Sequence, residues 1–283
     1  MFKTSRQLKD KIRNLAKAKS ADAQILMRSY MMERFLERVS LSAYKSNFIL
    51  KGGVLITSLV GLDCRSTMDI DTTIKGFDVN LPDIERMMRD VIDVPLKDGV
   101  LFQIKGLQYI AEEAEYPGIR VSLQALFDGT ITPLKIDVST GDVITPGAIQ
   151  YSYKLMFEDR YIQVLSYNLE TVLAEKLETI IRRHVANTRM RDFYDVYILK
   201  NFYETEISKH VLRIALEATA YRRGSTKHLE IAKLALDEIE KSDDMQRLWA
   251  SYQSHFGYAQ NISWHDVMEA VRGMYPVEYS GQG

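Results

Sequence analysis

Residues 67–74 read Thr-Met-Asp-Ile-Asp-Thr-Thr-Ile and follow Lys51-Gly52-Gly53, which closes a short apolar run. Side chains alternate across a strand, so a strand over residues 68–74 puts Asp69 and Asp71 on one face and Met68, Ile70 and Ile74 on the other. Asp is a poor strand former, and a solvated strand face favours Thr, Lys and Arg. Two aspartates at consecutive same-face positions therefore point to a role beyond folding. Carboxylates held that close repel unless a cation lies between them, and hard oxygen ligands of this kind suit Mg²⁺ bridged to substrate phosphates. The chemistry implied is that of a nucleotide-handling enzyme.

Around this segment the hydrophobic period changes several times. Residues 20–44 carry Ile25, Leu26, Tyr30, Phe35, Leu36 and Val39 near helical spacing. Phe48-Ile49-Leu50 then reads as a short buried strand, Gly52-Gly53 as a tight turn, and residues 54–60 as a helix opening directly after it. A glycine pair between strand and helix lets backbone approach a phosphate closely, with N–H groups at the positive end of a helix dipole. Such pairs are common in turns, and this one gains meaning from the aspartates sixteen residues downstream. Residues 83–91 look helical, with Pro82 near the start. Ile119, Val121, Leu123 and Ala125 alternate with Arg120, Ser122 and Gln124, and residues 102–110 are the expected partner across a turn near Pro117-Gly118. Leu134, Ile136 and Val138 alternate with Lys135 and Asp137, so a third carboxylate stands opposite an apolar face. From Leu169 onward the period is helical, broken at Gly224 and Gly257, with a polar tail from Pro276. The pattern is α+β: a mixed sheet of four or five strands with flanking helices, followed by a helical half, with the boundary near 160–168.

With 283 residues, 46% apolar and 27% charged, the chain can form one large or two modest globular domains. Its apolar runs fall short of a membrane span, and its lysine-rich start lacks the apolar core of a secretory signal. One cysteine, Cys64, excludes an internal disulfide, and the expected location is cytoplasmic. No histidine falls close to it, so Cys64 is read as structural, and the five scattered histidines give no zinc pattern. Net charge is −1. Basic residues nevertheless crowd residues 3–19 and recur at Arg182, Arg183, Arg189 and Arg191, and at Arg222 and Arg223 beside Tyr221. Each cluster reads as a solvated helix face or as a nucleic-acid contact.

In the helical half, Lys176 lies on the apolar stripe of Leu169, Val172, Leu173, Leu177, Ile180 and Ile181, only ~20° from Leu169 at ~100° per residue. A lysine there snorkels outward or points into a cleft that holds an anion, and we read it as phosphate-binding. Glu175 falls on the polar side. In Arg189-Met190-Arg191-Asp192-Phe193-Tyr194-Asp195, Asp192 and Asp195 share a helix face, while Arg191 and Asp195 have ion-pair spacing. These groups form a surface ion pair, or they orient Lys176 or a nucleotide. Arg65 has the bidentate fork suited to phosphates.

Five motifs resemble the AbiEii/AbiGii toxins of the nucleotidyltransferase superfamily, whose catalytic domain is similar to that of DNA polymerase beta. They are Leu50-Lys51-Gly52-Gly53, Arg65-Ser66-Thr67-Met68-Asp69-Ile70-Asp71, Lys135-Ile136-Asp137, Leu173-Ala174-Glu175-Lys176-Leu177 and Arg191-Asp192-Phe193-Tyr194-Asp195-Val196. The resemblance implies a polymerase-beta-like domain over residues 1–165 and a helical domain over 166–283 that contributes Lys176 and Asp192 to the cleft. It implies a bacterial toxin of a toxin–antitoxin or phage-defence abortive-infection system that moves NMP from an NTP to the acceptor end of tRNA, with an antitoxin encoded nearby. Asp69, Asp71 and Asp137 would hold Mg²⁺, and Gly52 and Gly53 the triphosphate. Lys176 and Asp192 would be essential for transfer, and Lys51, Arg65, Thr67, Arg191 and Asp195 complete the expected nucleotide-binding set. Many superfamily members have Gly-Ser where this chain has Gly52-Gly53, so a hydroxyl contact is missing here while backbone N–H groups remain. Replacing Asp71 or Lys176 with Ala is expected to abolish toxicity and leave the fold intact. The alternatives are transfer to a protein or small molecule, and a non-catalytic NTP-binding module.

Overall fold

The computed structural model describes residues 2–19, 21–76, 80–110 and 118–276. It divides into two compact units: Met1–Gly141 with Ala148–Tyr167, and Asp142–Gly147 with Asn168–Gly283. Among the described residues the first unit holds helices α1 (Ser5–Lys19), α2 (Ala23–Leu41), α3 (Gly52–Val60) and α4 (Leu81–Ile92). Its strands are β1 (Phe48–Lys51), β2 (Asp69–Ile74), β3 (Leu101–Ile110), β4 (Gly118–Phe127), β5 (Thr130–Ser139), β6 (Ile149–Lys154) and β7 (Tyr161–Ser166).

The strands form one sheet in the order β3-β4-β5-β2-β1-β7-β6. Pairs β5–β2 and β1–β7 are parallel and the others antiparallel. One face is apolar: Ile119, Val121, Leu123 and Ala125 of β4 and Leu134, Ile136 and Val138 of β5 are buried, as alternation predicts. Helix α2 packs on this face through Phe35, whose ring lies 6.0 Å from Phe48 and 6.1 Å from Phe102. The sheet has seven strands, not four or five. Strands β6 and β7 are the additions; β6 is an edge strand whose side chains are mostly exposed, so alternation carried little signal there.

Three boundaries also differ. Strand β2 starts at Asp69, and Met68 precedes it, 52% exposed rather than on the apolar face. Helix α3 begins at Gly52, so the glycine pair is its first turn rather than a turn before it. Helix α4 takes in Pro82 in its first turn, where the missing N–H costs nothing. Pro117 and the tail of residues 277–283 lie outside the described residues.

The charged residues of α2 are a finding that periodicity did not reveal. Glu33, Arg34, Glu37 and Arg38 are all buried. Arg38 forms a two-bond pair with Asp98 at 2.8 and 2.9 Å, Arg34 lies 2.9 Å from Glu158, and Arg160 bonds Glu37 at 2.6 and 3.0 Å. Glu33 accepts the Met156 N–H at 3.0 and 3.1 Å.

The second unit holds α5 (Leu169–Arg183), α6 (Met190–Tyr203), α7 (Lys209–Arg222), α8 (Thr226–Glu230), α9 (Ala232–Lys241), α10 (Asp243–His255) and α11 (Trp264–Met274). Side-chain caps Asn168, Ser208, Ser242 and Ser263 start four of them by accepting orphan N–H groups. Helix α7 ends before Gly224, which takes a positive φ of 62°. Glu178 of α5, 1% exposed, accepts from Arg182, Arg223 and Ser225 at 2.9, 2.6 and 2.8 Å, which fixes α5 to the segment after α7. Among the described residues no helix is long and apolar enough to cross a membrane.

Burial pushes the Glu33 carboxyl from 4.5 up to about 8, against the pull of the Met156 N–H and Arg34. Between these values the folded chain keeps a proton that the unfolded chain releases, so this group's contribution to stability falls as pH rises through the window. Denaturant unfolding at pH 5 and pH 8.5 is expected to show the wild type losing about 2–4 kcal/mol more than Glu33→Gln. Equal losses for the two proteins would remove Glu33 as the cause.

Candidate active site

The face of the sheet opposite α2 carries the carboxylates in the first unit. Parallel pairing of β2 with β5 sets Asp71 opposite Asp137 and Asp69 opposite Lys135, and antiparallel pairing of β1 sets Lys51 opposite Asp71. Asp69 and Asp71 are half-buried and share this face, with Ile70 buried on the other.

The first turn of α3 lies against Asp71. The Gly53 N–H donates to Asp71 Oδ2 at 3.3 Å, so the positive end of α3 meets a carboxylate. Gly52 takes a φ of 62°, and a Cβ there would stand 2.2 Å from Asp71 Oδ2. A Cβ on Gly53 would meet Thr67 Oγ1 at 2.6 Å. Both glycines are therefore required by close approach of side chains that the sequence reading placed in the site. Arg65 is 1% exposed, donates to the Ser66 carbonyl, and has Nη2 3.4 Å from that same Gly53 position. It sits beneath the glycine pair. Thr67 Oγ1 donates to the Asp69 carbonyl at 3.4 Å, and the Lys51 ammonium lies 5.7 Å from the Tyr167 ring centre. The Cys64 thiol is half-buried and pushed up by burial, which suits a structural rather than a nucleophilic cysteine.

The sequence reading did not assign Arg120 a role in the site. Its Nε and Nη2 donate to Asp137 Oδ1 and Oδ2 at 2.7 and 2.6 Å, engaging both oxygens of the third carboxylate. These bonds, with the fields of Asp137, Asp69 and Asp71, hold the guanidinium above its usual pKa. A signal for it was present. Asp128-Gly129 is a two-residue hairpin loop in which both residues take positive φ, 44° and 74°. The pairing Phe127↔Thr130 that this loop sets, followed along the two strands, brings Arg120 opposite Asp137.

As a donor set for a divalent ion, Asp69 and Asp71 fit: both are carboxylates, adjacent on one face, at the mouth of a helix N-terminus. Asp137 already accepts one Arg120 N–H on each oxygen, so an ion there would share those oxygens with Arg120 or displace it. Among the described residues no three acidic, histidine or cysteine side chains converge closely enough to hold an ion.

In the second unit Lys176 is buried to 12% side-chain exposure, and its ammonium lies 2.6 Å from Asp192 Oδ1 and 3.0 Å from Asp195 Oδ2. Those carboxylates are 1% and 0% exposed. Arg189 Nε lies 2.8 Å from Asp192. The anion facing Lys176 is thus a pair of buried aspartates, and the two aspartates orient the lysine. The Arg191 guanidinium lies 5.5 Å from the Phe256 ring centre, and Asp195 pairs with Lys176. Glu175 lies 3.0 Å from Arg223.

A family model for the nucleotidyl transferase AbiEii toxins of type IV toxin–antitoxin systems matches residues 34–272. The chain belongs to this family. As an AbiEii-family protein it is a toxin nucleotidyltransferase. MenT4, a nucleotidyltransferase toxin from Mycobacterium tuberculosis H37Rv, shares its fold with a TM-score of 0.57 and 14% identity over 93% of this chain and 98% of that one. JHP933 from Helicobacter pylori superposes with a TM-score of 0.50 and 12% identity over 89% and 92% of the two chains. A comparison with curated protein sequences gave no match.

Gly52→Ala drives a Cβ into Asp71 and strains a positive φ, so nucleotidyl transfer should fall by at least about 100-fold while the thermal melt moves by a few degrees. Unchanged turnover would show that the fit between Gly52 and Asp71 is not required. Lys176→Ala leaves two buried carboxylates without their ammonium, so it should cost about 3–5 kcal/mol in unfolding. This differs from the expectation of an intact fold. Lys176→Arg, which keeps the charge, should retain most of the stability.

Proposed function

We propose that this AbiEii-family toxin transfers a nucleoside monophosphate from an NTP to the 3′ acceptor end of tRNA, releases pyrophosphate, and so blocks translation as part of phage defence in the bacterial cytoplasm. What carries the reading is Asp69 and Asp71 side by side on β2, against the first turn of α3, with Asp137 on the adjoining strand. An N-terminal helical turn binds anions and carboxylates bind cations, and a nucleotide with its counter-ion needs both.

In the transfer, Asp69 and Asp71, joined by Asp137, would hold Mg²⁺, which would supply neutralising charge to the phosphates. The first-turn backbone of Gly52 and Gly53 orients the triphosphate, and Thr67 and Arg65 keep that turn in place. The tRNA 3′-hydroxyl attacks the α-phosphate in line with the departing pyrophosphate. Asp137 takes the hydroxyl proton. Lys176, oriented by Asp192 and Asp195, is required for transfer, as is Asp192 itself; Lys51, Arg191 and Asp195 complete the nucleotide-binding set. The antitoxin encoded nearby counteracts this activity.

A second reading is favoured by one observation. Arg182 and Arg223, two of the basic residues that would meet RNA, are tied to Glu178 by hydrogen bonds of 2.9 and 2.6 Å. That leaves a smaller basic surface than the sequence suggests, and keeps transfer to a protein or small molecule in view.

One experiment separates the two. The purified chain is incubated with Mg²⁺, total tRNA and each α-labelled NTP in turn, with Asp71→Asn and a chelator as controls. Label on tRNA, lost in both controls, is the expected outcome. Label on protein or on a small molecule would move the acceptor to the second reading, and no label on any of these would overturn both.

A further inference from the structure

The Arg120–Asp137 pair raises a question that the proposed chemistry does not answer. A carboxylate expected to hold a cation has both oxygens already bonded to one, in parallel N–H···O geometry at 2.6 and 2.7 Å. Such two-bond guanidinium–carboxylate pairs are among the stronger and more directional polar contacts in proteins. The pair is also specified locally. The Asp128-Gly129 hairpin fixes the β4–β5 register that places Arg120 directly across from Asp137. Parallel pairing then places Asp137 beside Asp71. Asp69, Asp71 and Asp137 thus share one face, with the Arg120 guanidinium clamped to Asp137.

We propose that Arg120 is a built-in counter-cation, which holds Asp137 and competes with a divalent ion for that carboxylate. The proposal rests on the reading of Asp69, Asp71 and Asp137 as the metal-binding set. Without an ion the three carboxylates repel one another, and the guanidinium offsets one of the three charges. When an ion recruits Asp137, Arg120 must leave it. Its planar fork is then released on the same face as the carboxylates, where it suits a phosphate oxygen of the bound substrate. Arg120 is in these terms a positioning residue, whose partner changes with the state of the site.

The competition is measurable without turnover. Mn²⁺ is titrated into the purified full chain in the absence of nucleotide and RNA, and the free ion is followed by electron paramagnetic resonance. Arg120→Gln is expected to bind Mn²⁺ about tenfold more tightly than the wild type, because a competitor for Asp137 has gone. Lys135→Gln is the control. Lys135 stands across from Asp69 and removes one positive charge from the same face without opening Asp137, so it should shift the affinity by a smaller factor. Arg120→Lys, which keeps the charge and loses the fork, should fall between wild type and Arg120→Gln; it also serves if the glutamine variant fails to fold. Equal shifts for Arg120→Gln and Lys135→Gln, or weaker binding in Arg120→Gln, would overturn the competition while leaving the metal site standing. Mn²⁺ binding by neither wild type nor Arg120→Gln, or binding that survives Asp71→Asn unchanged, would overturn the metal-site reading and the proposal with it.

Discussion

Asp71 is the residue on which the site depends, because its carboxylate sits where two strands and a helix terminus meet. The Gly53 N–H bonds it at 3.3 Å, Lys51 faces it across β1, and Asp137 faces it across β5. An aspartate half-buried at the centre of a sheet would ordinarily be costly, since desolvation disfavours its charge. Here the partial positive charge of the α3 N-terminus offsets that cost, and close approach to the backbone forces glycine at position 52. In the order β1, α3, β2, the strand carrying the aspartates lies beside the strand that feeds the helix, which brings Asp71 to the helix N-terminus.

The two units handle their charges differently. In the first, α2 is buried along with Glu33, Arg34, Glu37 and Arg38, and its charges meet partners as distant in sequence as Glu158 and Arg160. In the second, a lysine on an apolar helix stripe is held by two buried aspartates one helix later, and a buried glutamate collects Arg182, Arg223 and Ser225. Removing one partner from either arrangement exposes the other to an apolar surrounding, which is why such groups specify their neighbours so narrowly.

Local pattern made much of this legible from sequence. Alternation in residues 119–125 and 134–138 located two strands and their faces, and Asp69-Ile70-Asp71 marked a strand with both carboxylates on one face. The anomalous lysine in an apolar stripe located Lys176. What local pattern could not carry was pairing. Nothing near Glu33 or Arg38 announces Met156 or Asp98, and nothing near Arg65 announces its burial beside Gly53. Arg120 lay between these cases. Its partner follows from the Asp128-Gly129 loop, provided that the register is traced along the whole hairpin rather than read one strand at a time.

The close approach of Thr67 to Gly53 limits which side chains the two positions can carry together. A side chain at position 53 and the threonine side chain at position 67 claim the same space, since a Cβ on one would stand 2.6 Å from the hydroxyl of the other. A serine at 53 would therefore require a smaller or rotated side chain at 67, and the threonine there favours glycine fourteen residues earlier.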